Sequence, residues 1–361
     1  MATIKAQALR DLVRDIFLKE GCSPAESERI GRYLVEANLT GHDSHGVVRV
    51  PRYVQWKRDG LFLADQTPDI LAETPVMATV DGKFGFGQTV APIAVALGIK
   101  KCKAMGLSAI ALRNAGHIGR VGDWAEMAAA EGLVSVHFVN ASGSVLVAPF
   151  GGVERRFSTA PYVVGVPREG QHPLILDFAT SIVAEGKVLV ASQGGKKLPE
   201  NALIGPDGTI NGDPRQLYGD YEQAGGRDYR DGKGAIRAMG EHKGSGLAFM
   251  CELLGGALTG NTATQDNRRF SNGMLSFYVD PKKIDPEGLF PPEVARYTAY
   301  VKSSKPVTPG GEILVPGEPE VRMRKQRNEQ GIPLPDDTWN AIVATARSTG
   351  LSDQRIKEAQ I

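Results

Sequence analysis

The chain has 361 residues, with 42 Lys+Arg against 41 Asp+Glu and a formal net charge of +1. That length gives a prior of about two domains, and the charge balance excludes an extended nucleic-acid or anionic-membrane surface. Hydrophobic residues at 42% and charged residues at 23% exclude a chain that is disordered throughout.

The start of the chain reads as two helices. Ile4, Leu9, Leu12, Val13, Ile16 and Phe17 recur at helical spacing, and Gly21 supplies the stop. Ser23-Pro24-Ala25-Glu26 is a capping-box start, and Ile30, Leu34 and Val35 continue the apolar stripe. Val76 to Val80 reads as a strand, followed by a helix over about 89–105 that Gly106 ends. A strand at 107–112, a helix at 121–131 and a strand at 133–139 follow, and a further strand at 174–176 precedes Asp177. Residues 193–241, dense in Gly, Asp, Pro and Lys, read as a loop. A buried helix over 246–258, a strand at 274–279 and helices at about 292–303, 317–330 and 337–348 close the chain. This alternation predicts an α/β (α+β) fold. It also predicts a discontinuous helical domain, 1–74 plus about 290–361, around an α/β domain at 75–289.

Cys22, Cys102 and Cys251 form no CxxC pair and are odd in number. With no apolar signal region at the start and no stretch of about 18 apolar residues, the expectation is a cytoplasmic protein with no membrane span. Glycine is abundant, at 43 residues, which fits either many tight turns or backbone passing close to a ligand.

The familiar motifs fail. Gly85-Phe-Gly87-Gln-Thr-Val90 and Gly244-Ser-Gly246-Leu-Ala-Phe249 each lack the third glycine of a Rossmann fingerprint. No Walker A loop and no GxSxG elbow are present, and His42 and His45 lack the HExxH pattern, so no metal site is expected.

Dense polar clusters remain. In Gly41-His42-Asp43-Ser44-His45-Gly46-Val47-Val48-Arg49, His45 is suited to proton exchange near neutral pH and Arg49 to a bidentate grip on a carboxylate. Tyr53 would share the face of Arg49 if the segment is helical. The competing reading is a polar capping loop. His117 stands between Gly116 and Gly119 after a strand, where α/β proteins place ligands. Asp177 to Ser181 and Gly240 to Gly246 also lie at helix starts, and Lys243 with free backbone N–H groups suits a phosphate or carboxylate. A Ser-His-Asp hydrolase built from Ser44, His45 and Asp177 is a further reading, weakened by the missing elbow.

Taken in order, these segments resemble the malate/L-lactate dehydrogenase family of the second type, a non-Rossmann group. The resemblance rests on GHDSHGVVR at 41–49, NAGHIGRVGDWAE at 114–126, VAPFGG at 147–152, LDFATS at 176–181, HKGSGL at 242–247 and VPGEPE at 315–320. GHIGRVGDWAE, SVHFVN and GIPLPDDTW point to its hydroxycarboxylate dehydrogenase branch. The resemblance implies a mixed-sheet NAD(P)-binding domain and hydride transfer between a nicotinamide, NAD or alternatively NADP, and C2 of a 2-hydroxy or 2-oxo acid. It also implies a homodimer with the active site near the interface.

By the same resemblance, Ser44, His45 and Asp177 match a proton-transfer set, and His117 matches either an acid/base or a cofactor position. Arg49 and Tyr53 match substrate contacts. His117, Ile118, Gly119, Asn140, Asp177, Phe178, Ala179, Thr180, Ser181, His242, Lys243, Pro316, Gly317 and Glu318 match the cofactor site, whose neighbourhood extends to Ser142. Two departures concern substrate range: Ala160 stands where members often carry asparagine, and His242 where many carry tyrosine. Reduction of a cyclic imine acid remains an alternative, as does a non-catalytic binder.

Overall fold

The computed structural model describes residues 2–222 and 227–359. Positions 223–226, inside the predicted 193–241 loop, lie outside the described residues. Strand β1 (Ala2–Ile4) leads into helices α1 (Ala6–Lys19) and α2 (Pro24–Leu39). Ser23 caps α2 by accepting the Glu26 N–H, as the capping box predicts. Two 3₁₀ turns, Asp43–His45 and Val47–Arg49, then deliver the chain into α3 (Val50–Arg58).

The next stretch builds the main sheet: β2 (Asp69–Glu73), β3 (Met77–Asp81), α4 (Gly87–Met105), β4 (Leu107–Ala115), α5 (Gly122–Ala130) and β5 (Val134–Ser142). Short β6 (Val147–Ala148) is followed by β7 (Pro161–Val166), β8 (Leu174–Ala179) and α6 (Glu185–Ser192). Then come β9 (Leu203–Ile204), β10 (Ile210–Asn211), α7 (Arg215–Tyr218) and β11 (Ala235–Arg237). Helix α8 (His242–Cys251) runs on into a π turn, Glu252–Ala257, before β12 (Ser271–Val279). The chain closes with α9 (Pro281–Ile284), α10 (Phe290–Lys302), α11 (Glu318–Gln330), β13 (Ile332–Leu334), α12 (Asp336–Ser348) and α13 (Asp353–Glu358).

The seven-stranded sheet has the order β2-β3-β4-β12-β5-β7-β8. Of its neighbours only β3 and β4 pair in parallel, so the sheet is mixed. Helices α4 and α5 cover it, packing Val90, Val95, Trp124 and Ala128 against Ile110, Leu112 and Met274. Gly98 lets α4 approach closely, since a Cβ there would lie 2.3 Å from the Tyr278 ring. Truncating such a core side chain typically costs about 2–5 kcal/mol.

A second core joins the chain ends. Leu9, Leu12, Phe17, Ile30 and Leu34 pack in one cluster with Ile332, Trp339 and Ile342, and β1 pairs antiparallel with β13. Helices α10 and α11 contribute no buried residue.

The predicted loop over 193–241 is corrected. Its described part forms a small unit in which β10, β9, β11 and β6 make a sheet, with Leu203, Leu217, Tyr218 and Ile236 packed against Val147, Val183 and Val188. Its strands are two or three residues long, too short for period-2 alternation to register.

Candidate active site

Asn38, at the end of α2, fixes the entry to the site. Its Nδ2 donates to Asp43 Oδ1 at 2.6 Å, and its Oδ1 accepts the Val47 N–H at 2.8 Å. Gly46 makes this possible, because a Cβ there would sit 2.1 Å from Asn38 Oδ1. From α11, Arg327 forks onto Asp43 at 2.6 and 3.0 Å. The two tight turns are thus held from both sides. His42 points away, its Nε2 3.2 Å from Glu320 on α11.

The turns set His45 against His117, which arrives from the loop after β4. The two half-buried rings stack with centroids 5.5 Å apart and an interplanar angle of 8°. Each ring is held through Nδ1 by a hydroxyl: Ser44 Oγ lies 3.0 Å from His45 Nδ1, and the Tyr53 hydroxyl 2.5 Å from His117 Nδ1. Gln88, at the start of α4, donates to the Tyr53 hydroxyl and to the His117 carbonyl, both at 3.2 Å. Among the described residues neither Nε2 has a partner, so both are left for a ligand. Burial lowers the His45 pKa well below 6.5, and the neighbouring His117 ring and the Arg49 charge add to the effect. Burial and the nearby Arg49 and Arg52 push His117 down to about 3. Both rings are neutral at pH 7.

Arg49 is buried and already engaged. Its Nε donates to the Ser44 carbonyl at 2.6 Å and its Nη1 to Glu185 Oε2 at 3.1 Å. Arg52 lies 3.7 Å from Glu185 Oε1, which also accepts the Tyr218 hydroxyl at 2.9 Å. Burial disfavours the Glu185 charge, but Arg49 and Arg52 outweigh it and lower its pKa. Sequence reasoning missed Glu185, Tyr218 and Gln88. The only signal for Glu185 was its place at the start of a helix just after the Asp177–Ser181 segment.

The remaining predicted residues lie around this centre. Asp177 Oδ2 accepts the Gly122 N–H at 2.7 Å, at the start of α5, and among the described residues it makes no hydrogen bond to Ser44 or His45. The predicted Ser-His-Asp set therefore contains one close pair, Ser44 and His45. Beside Asp177 lies fully buried Arg120, paired with Asp123 and Glu126 at 2.7 and 2.9 Å, its Nε and Nη2 without partners among the described residues. Ile118 N–H is held by Asn272 Oδ1 at 3.0 Å, and Gly119 takes a left-handed φ of 70°.

Phe178 rests on Tyr162, and Ala179 pairs with Pro161 across the sheet edge. The hydroxyl protons of Thr180 and Ser181 go to the Ala160 and Val183 carbonyls.

Asn140, expected in the cofactor site, has its side chain engaged within the fold. Its Nδ2 donates to Glu252 and to the Thr262 carbonyl, and its Oδ1 accepts from Asn261 and Gly273. Its side chain has no hydrogen-bonding capacity left. Ser142 lies beside it, 3.4 Å from Thr262.

His242 and Lys243 are exposed at the start of α8, where His242 meets the Phe150 ring. The Pro316-Gly317-Glu318 turn sits on β8, where the Pro316 carbonyl meets the Ile175 N–H, and Glu318 pairs with Lys302. A cavity of about 370 Å³ opens there, lined by Arg168, His172, Ile175, Gly317, Glu320 and Arg324.

The family model for malate/L-lactate dehydrogenase matches residues 4–343. Hydroxycarboxylate dehydrogenase B from Escherichia coli O157:H7 is 38% identical over 357 residues, covering 98% of this chain and 96% of its own. L-sulfolactate dehydrogenase from Methanothermobacter thermautotrophicus is 30% identical over 349 residues, covering 94% and 95%. A solved Escherichia coli protein, provisionally assigned as a malate/lactate dehydrogenase, superposes with a TM-score of 0.91 at 36% identity, covering 99% of this chain and 98% of its own.

Proposed function

The chain belongs to the malate/L-lactate dehydrogenase family, and on that premise we propose that His45 and His117 handle the proton, Arg49 anchors the substrate carboxylate, and NAD is the preferred cofactor over NADP. The protein is an oxidoreductase that acts on the CH–OH group of small hydroxy acids. The observation that carries the residue assignment is the stacked histidine pair beside Arg49, with both Nδ1 atoms held and both Nε2 atoms free.

In the oxidising direction the substrate hydroxyl gives its proton to a neutral imidazole at Nε2, with His45 as the leading candidate and His117 the second. Neutral imidazole is the form that base catalysis needs. Ser44 and Tyr53 orient the two rings through Nδ1. The unengaged Nη2 of Arg49 faces the substrate carboxylate in this reading, while Nε and Nη1 hold the guanidinium in place. The nicotinamide supplies the hydride acceptor when bound.

The residues fit such a dinucleotide. Arg120 offers two unpartnered guanidinium nitrogens in a dry setting. Gly122 lets the guanidinium and Asp177 come close to the start of α5, since a Cβ there would lie 2.8 Å from the one and 2.9 Å from the other. His117, Ile118, Gly119, Asp177 to Ser181, His242, Lys243 and Pro316 to Glu318 form the proposed cofactor set.

A homodimer with the site near its interface is supported by exposed apolar residues around α8, with Phe249 at 49%, Met250 at 47% and Leu258 at 66% exposure. A helical domain from 1–74 plus about 290–361 is supported by the core shared between the chain ends. Three unpaired buried cysteines support a cytoplasmic location. No helix among the described residues is long and apolar enough to cross a membrane.

Exchange of His45→Ala tests the assignment. Turnover is expected to fall by at least about 10²-fold while NAD still raises the melting temperature. Activity within threefold of the parent transfers the role to His117. Arg49→Met is expected to raise KM for 2-hydroxy acids, and an unchanged KM removes Arg49 from the anchor.

A further inference from the structure

We propose that Glu185 is a specificity-determining residue: by neutralising one of the two arginines at the anchor, it favours substrates with a single carboxylate over those with two. The proposal rests on the reading of Arg49 as the carboxylate anchor and deepens it.

The geometry is that of one carboxylate shared by two cations. Arg49 Nη1 reaches Glu185 Oε2 at 3.1 Å, Arg52 Nη1 lies 3.7 Å from Oε1, and the Tyr218 hydroxyl donates to Oε1 at 2.9 Å. The Arg49 and Glu185 side chains are 10% and 7% exposed, so water screens their charges little. Arg49, Arg52 and Glu185 together carry a formal charge of +1. One substrate carboxylate brings the cluster to neutrality; a second adds an unbalanced negative charge beside Glu185.

Arg52 is the second cation at the anchor and is shared with Glu185: its Nη1 lies 3.7 Å from Oε1 and its guanidinium lies over the Trp56 ring at 5.9 Å. Lys187 is the further cation whose charge reaches His45, but it is exposed and so screened. Glu185 is itself pinned. Helix α6 starts against the site so closely that a Cβ on Gly186 would fall 2.6 Å from Ser44 Cβ and 2.8 Å from Arg49 Nη2. The small sheet unit contributes Tyr218, which holds the carboxylate from the far side. A carboxylate fixed in this way keeps its charge at the anchor whichever substrate arrives.

The test compares kcat/KM for 2-oxobutanoate and oxaloacetate, which share a four-carbon chain and differ in the second carboxylate. The wild-type enzyme is expected to favour 2-oxobutanoate, and E185Q to raise the oxaloacetate to 2-oxobutanoate ratio more than fivefold. A smaller rise, or a fall, overturns the proposal. E185D keeps the charge and is expected to keep the wild-type ratio within twofold; a shift as large as that of E185Q assigns the effect to shape and overturns it. If E185Q does not fold, inhibition of the wild-type enzyme decides. Succinate is expected to inhibit at least fivefold more weakly than butyrate, and equal or tighter inhibition by succinate overturns the proposal. Failure of the underlying reading has a different signature: wild-type enzyme that reduces neither 2-oxo acid, or R49M with unchanged KM for both.

Discussion

The two histidines at the centre of the site differ in what holds them but share one electrostatic setting. Ser44 and Tyr53 occupy the Nδ1 atoms, and burial beside Arg49 lowers both pKa values. A base must be neutral to accept a proton, so if this pair has the proposed role, the acid limb of hydroxy-acid oxidation moves with the pKa of the ring. An unperturbed histidine would place that limb near 6.5, and lowering the pKa moves it down. kcat/KM for oxidation is therefore expected to stay level from pH 8 to about 6 and to fall only below that. A limb at 6.5 or above in the measured profile excludes this pair as proton acceptors. At this scale the sequence was legible where residues are near neighbours. Ser44, His45 and Arg49 lie within one segment, and their types state their chemistry. Glu185 stands 136 positions from Arg49, and Tyr218 a further 33 beyond Glu185. Only folding brings them together. Asn140 carried a motif signal, but its amide is used up inside the fold.

Between elements, the position of His117 depends on how closely α4 meets the loop after β4. Gly87 opens α4, and a Cβ on it would lie 2.3 Å from the His117 carbonyl oxygen and 2.5 Å from Ile118 Cα. Both are backbone atoms, so no side chain can turn aside, and the loop must move by about an ångström. Misplacement of that size costs about 10²-fold in rate. Gly87→Ala is accordingly expected to lower kcat by about that factor while far-UV circular dichroism keeps its wild-type shape. Activity within threefold of wild type shows that the approach is not limiting. The helices at the two chain ends were readable from 3.6-residue periodicity, since α1, α2 and α12 each bury one face. The small sheet was not, because its stability comes from Leu203, Leu217 and Ile236 meeting Val147 and Val188 across long sequence distances. The π turn after α8 was also missed. Its Glu252 accepts hydrogen bonds from Thr264 and from Ser158 and Asn140, the last two 94 and 112 positions away.

The whole molecule carries these charges into its response to pH. His137 is buried in the main sheet between Ser135 and Ser276, and burial pushes its pKa down to about 3. His117 is pushed to about 3, and His45 also lies well below 6.5. All three are neutral in the native state and titrate near 6.5 once unfolded. From pH 6.5 down towards 3 the unfolded chain therefore binds up to three more protons at these sites, so their stabilisation is complete above 6.5 and is lost as pH falls. Two carboxyls act in the opposite sense. Burial pushes Asp123 up to about 7 against the pull of Arg120, and it raises Glu26 above its ordinary 4.5. The native state gains at most two protons from them, so the three histidines outnumber the carboxyls that oppose them. One proton corresponds to about 1.4 kcal/mol per pH unit. Glu185 and Glu320, with lowered pKa values, add to the loss only below about 4.5. The interval from 6.5 to 5 thus leaves Glu185 and Glu320 out, with Asp123 and Glu26 as the groups that oppose the histidines. The urea midpoint is expected to fall steadily from pH 6.5 to 5, and His137→Gln to flatten that fall by about one proton's worth. A flat midpoint in the wild-type protein would mean that the carboxyls balance the histidines in full. An unchanged slope in His137→Gln would mean that His137 is charged in the folded core, against its two serine partners and its burial.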